Sequence, residues 1–139
     1  NVNAEANEII VTIVGSEERQ DFQGKDICEL QYEITNNSTG TIHYLNIYVD
    51  GWDDRGDKLD ELLSAALENT KGLGRLPIPV GSTQKFEMDK GFKTKCKYMG
   101  RVKVTDVKPE YCNIRMLPEN ADCRDMIKIR SNVDTIIVE

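Results

Sequence analysis

Strict alternation of apolar and polar side chains over residues 27–36 is the feature that most constrains this fold. In an extended chain one set of side chains shares one face: Cys28, Leu30, Tyr32 and Ile34. The other set shares the opposite face: Glu29, Gln31, Glu33 and Thr35. Successive side chains of a strand point to opposite faces of the sheet. The segment therefore predicts a β-strand with one face in the core and the other in water.

A second long strand is predicted over residues 41–52. Leu45, Ile47 and Val49 share one face, and the other face is also rich in apolar side chains, which is typical of a central strand. The polar residues 36–40 between the two strands have turn chemistry. We therefore expect the two strands to pair as a hairpin at the centre of the fold.

One amphipathic helix is predicted over residues 57–69. The apolar side chains recur at helical spacing: Leu59, Leu62, Leu63, Ala66 and Leu67. Asp57 is expected to cap the first turn, and Gly72 is expected to end the helix.

Short segments of strand character fill much of the remaining chain, with residues 16–26 expected as a loop. The predicted strands are 8–15, 83–89, 92–98, 101–107, 125–131 and 133–138. Because these strands do not alternate with helices, a doubly wound α/β fold is excluded. The fold class expected is mainly β, an antiparallel Ig-like β-sandwich of about eight or nine strands with one inserted helix, forming a single domain over 8–139.

The charge of the chain limits its partners. The formal net charge is −6 and the pI is about 4.9, which argues against nucleic acid as a general partner. No run of apolar residues is long enough to predict a transmembrane segment. The chain begins at Asn1, so we interpret it as a processed or trimmed product with residues 1–7 as a polar tether; any signal peptide or lipid-attachment cysteine would lie upstream.

Four cysteines, an even number, are present without any CxxC pair and with a single histidine, which argues against zinc. This count favours two disulfides in an oxidising compartment, with buried free thiols as the alternative. Three pairings are possible. The favoured one joins Cys112 to Cys123 across a turn and Cys28 to Cys96 between distant strands.

The acidic loop 50–57 is the strongest candidate for a ligand site. Calcium takes six to eight oxygen ligands, and Asp50, Asp53, Asp54 and Asp57 would supply several of them. The spacing does not follow the EF-hand pattern, because Gly51 falls where the first aspartate belongs. The competing interpretation is a solvated turn that leads into a helix cap.

A row of basic side chains is predicted on one face of strands 92–98 and 101–107. Its members are Lys93, Lys95, Lys97, Arg101 and Lys103. Such a row would dock an anionic partner or lipid surface, or it would serve as a solvated face that discourages edge-to-edge pairing.

No motif for catalysis is present. His43 is the single histidine and lies in a predicted strand, without GxSxG, GxGxxG or a P-loop elsewhere. A triad needs a base beside a nucleophile, and no such pair is indicated. Carboxylates are abundant, so a small hydrolase, or an inhibitor of one, remains an alternative.

Five short motifs carry a resemblance to a known family. They are NNST at 36–39, LNIYVD at 45–50, DRGD at 54–57, PVGS at 79–82, and Phe86. Over about residues 27–88 this pattern is similar to the FxLYD-type domains of the bacterial cell envelope, which are small Ig-like sandwiches. The chain departs from that pattern at Leu45, which stands where the family has phenylalanine. The resemblance implies a non-catalytic, extracytoplasmic sandwich and no particular site residues.

Together these observations predict an extracytoplasmic β-sandwich module for protein interaction or scaffolding, placed in the periplasm, on the cell surface or outside the cell. Its expected partner is a protein of the cell envelope, and no enzyme activity or cofactor is expected. The first alternative is a calcium-binding module that uses loop 50–57, and the second is the small hydrolase or hydrolase inhibitor.

Overall fold

The fold is mainly β, as predicted. A computed structural model describes residues 8–44, 47–60, 77–87, 91–107, 113–114 and 126–139. Nine strands lie within these ranges: β1 Glu8–Gln20, β2 Asp26–Asn37, β3 Ile42–Tyr44, β4 Ile47–Asp53, β5 Thr83–Glu87, β6 Met99–Val107, β7 Asn113–Ile114, β8 Ile127–Ser131 and β9 Ile137–Val138. The predicted tether 1–7 lies outside the described residues. No helical segment within the described ranges has the length and apolarity needed to cross a membrane.

The strands form one sheet of four, one of three and a small pair. The four-stranded sheet has the order β5-β2-β1-β8, the three-stranded sheet has the order β4-β6-β9, and β3 pairs with β7. The prediction of a purely antiparallel fold is wrong, because β8 runs parallel to β1 and β9 runs parallel to β6. The reason is that the C-terminal segment 126–139 adds one strand to the edge of each larger sheet, in the direction of its neighbour.

A long hairpin of β1 and β2 is the largest element of the four-stranded sheet. The two strands remain paired from Glu8 and Asn37 as far as Gln20 and Asp26. The predicted loop 16–26 is therefore wrong for residues 16–20. Polar residues continue the strand there because backbone pairing with β2 extends past the apolar part of β1.

The alternation in β2 is confirmed residue by residue. Cys28, Leu30, Tyr32 and Ile34 are all at most 2% exposed, while the intervening residues are partly exposed. The same face continues to Asn36, which is also fully buried although it is polar. The pattern therefore identified the core face of this strand correctly.

The predicted hairpin between β2 and the next strand is wrong. β2 belongs to the four-stranded sheet, whereas β3 and β4 belong to the two other sheets. Residues 36–42 instead form a corner. There the side-chain amide nitrogen Nδ2 of Asn36 donates to the carbonyls of Gly40 (2.9 Å) and Ile78 (2.8 Å). The chain turns away from β2 because Asn36 ties it to the segment at Ile78, which also forms a bridge with Ile42.

One core joins the two larger sheets, an arrangement that fits a β-sandwich. The buried side chains from the four-stranded sheet include Ile9, Val11, Ile13, Leu30, Tyr32 and Ile34. Those from the three-stranded sheet and its connections include Val49, Phe92, Met99, Val102 and Ile136, and Ile42 of β3 joins the core together with its bridge partner Ile78. Gly51 admits the ring of Phe92, since a Cβ there would lie 2.7 Å from a ring carbon.

The predicted helix does not begin at Asp57. Residues 57–60 are extended, with Lys58 in an antiparallel bridge to Trp52 and the Leu59 amide donating to the Gly51 carbonyl at 2.8 Å. Leu59 packs against the core from this extended segment, so its burial does not require a helix. The remainder of the predicted helix, 61–69, and its expected end at Gly72 lie outside the described residues.

Residues 92–98 do not form the predicted strand. Phe92 makes an isolated bridge to Cys28, and residues Cys96–Tyr98 form a short 3-10 turn. The cause is the linkage of this segment to β2, because Phe92 pairs with Cys28 at a single bridge and the Cys28–Cys96 disulfide then holds the 3-10 turn against the same strand. Lys93, Lys95 and Lys97 are exposed there, but they do not line a sheet face with Arg101 and Lys103.

Candidate functional site

Two polar segments meet at the end of the molecule where β4 ends and β6 begins. One is the acidic turn 53–57, and the other is the segment 93–98. The amide of Asp54 donates to the carbonyl of Tyr98 at 2.8 Å, which joins them directly. We call these two segments, together with Trp52, Arg101 and Ile137 beside them, the loop end.

The acidic turn is organised around Asp53. Its Oδ1 accepts hydrogen bonds from the amides of Arg55 and Asp57, both at 2.9 Å. The Asp53 amide donates to the Asp57 carbonyl at 2.9 Å, and Gly56 has the positive φ of 89° that such a tight turn requires. Asp57 therefore closes this turn through its backbone and does not cap a helix.

The four aspartates predicted for calcium take different positions. Asp53 uses one carboxylate oxygen on backbone amides, while Asp50 Oδ2 lies 3.3 Å from Lys58 Nζ. Asp54 and Asp57 are exposed. Among the described residues, no three acidic, histidine or cysteine side chains are grouped to hold a metal ion. Calcium binding by loop 50–57 stays a prediction.

The predicted disulfide between Cys28 and Cys96 is present and anchors the loop end to β2. The two Cα atoms are 4.8 Å apart, and the bond links residues that are 68 positions apart in the chain. The Cys96 amide also donates to Glu18 Oε1 at 2.9 Å. Gly91 is needed beside this bond, because a Cβ there would overlap the carbonyl of Cys28. The other predicted pair, Cys112 and Cys123, lies outside the described residues.

Aromatic and arginine side chains surround the acidic turn. The guanidinium of Arg101 stacks over the Trp52 ring, 4.5 Å from its centre, and pairs with Glu139 at 3.1 Å. Tyr98 is 44% exposed, and the Lys97 ammonium lies 5.1 Å from its ring centre. Ile137 is 66% exposed beside Arg101 in the neighbouring strand. These contacts hold large side chains at the surface.

Two cavities flank the acidic turn. The larger, about 390 Å³, is lined by Asp53, Asp54, Arg55, Thr94 and Tyr98. The smaller, about 310 Å³, includes Trp52, Gly100, Arg101 and Ile137 in its lining and shares Asp53 and Asp54 with the first. The aspartates thus form a ridge between two depressions with aromatic walls.

Sequence patterns identified the acidic part of this surface and, within the predicted basic row, Arg101 and the lysines of segment 93–98, but not the grouping of Trp52, Tyr98 and Ile137 around them. Trp52, Arg101 and Ile137 come from three different strands, and Tyr98 precedes the second of them. Only strand pairing brings these residues together, so no local spacing signals them. The backbone of His43 lies in β3, while its side chain is outside the described part of the structure.

Comparisons with known proteins gave no match. Neither the family models, nor the curated proteins, nor the solved structures contain a significant relative of this chain.

Replacing Asp53 by alanine is expected to lower the free energy of unfolding by about 1–2 kcal/mol, because two backbone amides lose their shared acceptor. Asp53→Asn keeps that acceptor oxygen and should cost less. Asp54→Ala, at the exposed neighbouring position, should change stability by less than about 0.5 kcal/mol. Urea unfolding followed by the fluorescence of the single tryptophan measures all three. Equal losses for the two alanine variants would contradict this account of the turn.

Proposed function

We propose that this chain is a non-catalytic binding module that contacts a protein partner through its loop end. The observation that carries the proposal is the grouping of Trp52, Tyr98, Arg101 and Ile137 around the acidic turn. Interfaces between proteins are enriched in aromatic residues and arginine at the positions that contribute most to affinity. An exposed surface of this composition on a disulfide-anchored base favours binding over chemistry.

Pre-organisation supports the same proposal. The acidic turn is closed by its own hydrogen bonds, Arg101 is held by Trp52 and Glu139, and segment 93–98 is attached to β2 through Cys96. A surface that is ordered before binding loses less conformational entropy when the complex forms. Loops positioned by a rigid β-scaffold commonly carry binding function.

The proposed setting is outside the cytoplasm, in the periplasm, at the cell surface or in the secreted fraction. The Cys28–Cys96 disulfide supports this setting, because such bonds persist in oxidising compartments and are rare in the cytosol. An Ig-like sandwich of the FxLYD type, with a partner in the cell envelope, belongs to the same proposal. The resemblance at residues 27–88 supports it, together with the mainly β fold.

The test uses a partner captured from the envelope fraction of the source cells and then purified. We expect Tyr98→Ala to weaken its affinity at least tenfold, about 1.4 kcal/mol, and Arg101→Ala to act in the same direction. Val80→Ala is the matched control, since Val80 is exposed in the turn that follows Ile78 near the Asn36 corner. Titration calorimetry gives the dissociation constants.

One result would support the proposed interface and two would contradict it. Loss of affinity in the two loop-end variants with retention in Val80→Ala supports the proposal. Unchanged affinity in both loop-end variants would show that the loop end is not the interface. Failure of the wild-type chain to retain any protein would count against a binding function.

A further inference from the structure

The tip of the β1–β2 hairpin presents one large apolar side chain to solvent. Phe22 is 98% exposed, the highest value among the exposed large hydrophobic side chains of the described residues. β1 is exposed throughout residues 16–20, and the turn that follows is exposed from Phe22 to Lys25. The ring therefore stands at the end of a projecting turn and not in a hydrophobic patch.

The turn that carries Phe22 is ordered by hydrogen bonds between Asp21, which precedes it, and the residues that follow it. Asp21 Oδ1 accepts from the amides of Gln23 (2.8 Å) and Lys25 (2.9 Å). The Asp21 amide donates to the Lys25 carbonyl, and Gly24 takes the positive φ of 78° that closes the turn. The backbone at Phe22 is thus ordered before any contact, which lowers the entropic cost of using the ring as an anchor.

The strand residues next to this turn are also held in place. Arg19 forms a cross-strand ion pair with Glu29, and Glu18 accepts a hydrogen bond from the Cys96 amide. The Cys28–Cys96 disulfide lies opposite Glu18 in the strand register. The hydrogen bond and the disulfide connect the hairpin to segment 93–98, which is one of the two segments of the loop end.

The charges around the tip select the kind of partner. Within residues 17–26 of the hairpin itself, the acidic side chains Glu17, Glu18, Asp21 and Asp26 outnumber Arg19 and Lys25, and Arg19 is already paired with Glu29. A surface of net negative charge is repelled by anionic lipids and attracted to a basic surface. Burial of a phenylalanine ring in an apolar pocket removes a large apolar surface from water and so favours binding.

We propose that Phe22 is an anchor that inserts into an apolar pocket with a positively charged rim on a partner protein. The inference rests on the proposed binding function and adds a second contact to the loop end. Phe22 has no packing role in the fold, so its replacement should leave the unfolding midpoint unchanged.

The test places the photoreactive analogue p-benzoylphenylalanine at position 22 of the full chain, with position 80 as control. Irradiation with the purified partner should give an adduct from position 22 that maps to apolar residues flanked by Lys or Arg, and none from position 80. In calorimetry, Phe22→Ala should lose about tenfold in affinity, Phe22→Leu less, and Gln23→Ala should bind like the wild type. No adduct from position 22, or one that maps to an acidic or wholly polar surface, would overturn the proposal.

A vesicle assay tests the alternative that Phe22 inserts into a membrane. In sedimentation with phosphatidylcholine vesicles, with and without phosphatidylglycerol, we expect no binding that depends on Phe22. Binding that is lost in Phe22→Ala would overturn the proposal in favour of a membrane anchor. If Phe22→Ala binds the partner normally while Tyr98→Ala does not, the Phe22 anchor fails and the proposed function stands. If both variants bind normally, both proposals fail.

Discussion

Replacing Cys28 and Cys96 together by alanine is expected to lower the free energy of unfolding by about 4 kcal/mol. The bond closes a loop between residues 68 positions apart, and the chain-entropy relation for that length gives about 4 kcal/mol. Cys28 is also fully buried, so its replacement removes packed sulfur from the core. This loss is a large part of the free energy of unfolding of a typical domain, which is about 5–15 kcal/mol.

Urea unfolding followed by tryptophan fluorescence measures this loss. The matched comparison is a Cys112→Ala/Cys123→Ala variant, oxidised and reduced, because reducing the wild-type protein would also break the predicted Cys112–Cys123 bond. Reduction removes the same cross-link without changing the packing of Cys28, so it should reproduce most of the loss. A decrease of less than about 1 kcal/mol in both samples would show that the disulfide does not constrain the unfolded chain as proposed.

Replacing Asn36 by alanine should have the second largest effect, a loss of about 2–4 kcal/mol. The Asn36 amide group donates to the Gly40 and Ile78 carbonyls, and its Oδ1 accepts from the Ser38 amide (3.0 Å) and hydroxyl (2.6 Å). Removing the side chain leaves buried polar partners unsatisfied, and each such group costs about 1–3 kcal/mol.

Asn37→Ala is the control for this corner. Asn37 is adjacent, partly exposed and ends β2, so its replacement should change stability by less than about 0.5 kcal/mol. Thermal and urea unfolding of the two variants beside the wild type give the comparison. If the two variants lost equal stability, Asn36 would not be the residue that holds the corner.

The parts of the fold that sequence predicted correctly depend on local periodicity. The alternation from Cys28 to Ile34 identified the buried face of β2, because side chains of a strand alternate whatever its neighbours are. Residues 101–107 were also predicted as a strand, and they fall within β6. Three pairings of the four cysteines are possible, and the favoured one includes Cys28–Cys96. The structure confirms this bond.

The errors concern choices that only tertiary contacts make. The turn chemistry of residues 36–40 is equally compatible with a hairpin and with a corner, and the contact of Asn36 with Ile78 selects the corner. The apolar spacing from Leu59 onward is typical of a helix, yet the pairing of residues 58 and 59 with β4 keeps its first residues extended. The parallel pairing of β8 with β1, and of β9 with β6, likewise depends on which sheet edges are open.

The candidate site was predicted in part for the same reason. The acidic turn is contiguous in sequence and was recognised as a place for a ligand, although Asp53 uses its carboxylate to build the turn. The Trp52–Arg101 contact and the position of Tyr98 depend on the pairing of β4 with β6 and on the disulfide. Local spacing in a single sequence gives no direct indication of such long-range contacts.

Hydrogen exchange of the chain, alone and in complex with the purified partner, tests whether the loop end is the binding surface. We expect the partner to slow amide exchange in the acidic turn 53–57 and in residues 93–98, and to leave exchange in the corner 36–42 unchanged. Protection confined to that corner and to residues 78–82, with none at the loop end, would contradict the proposed binding surface.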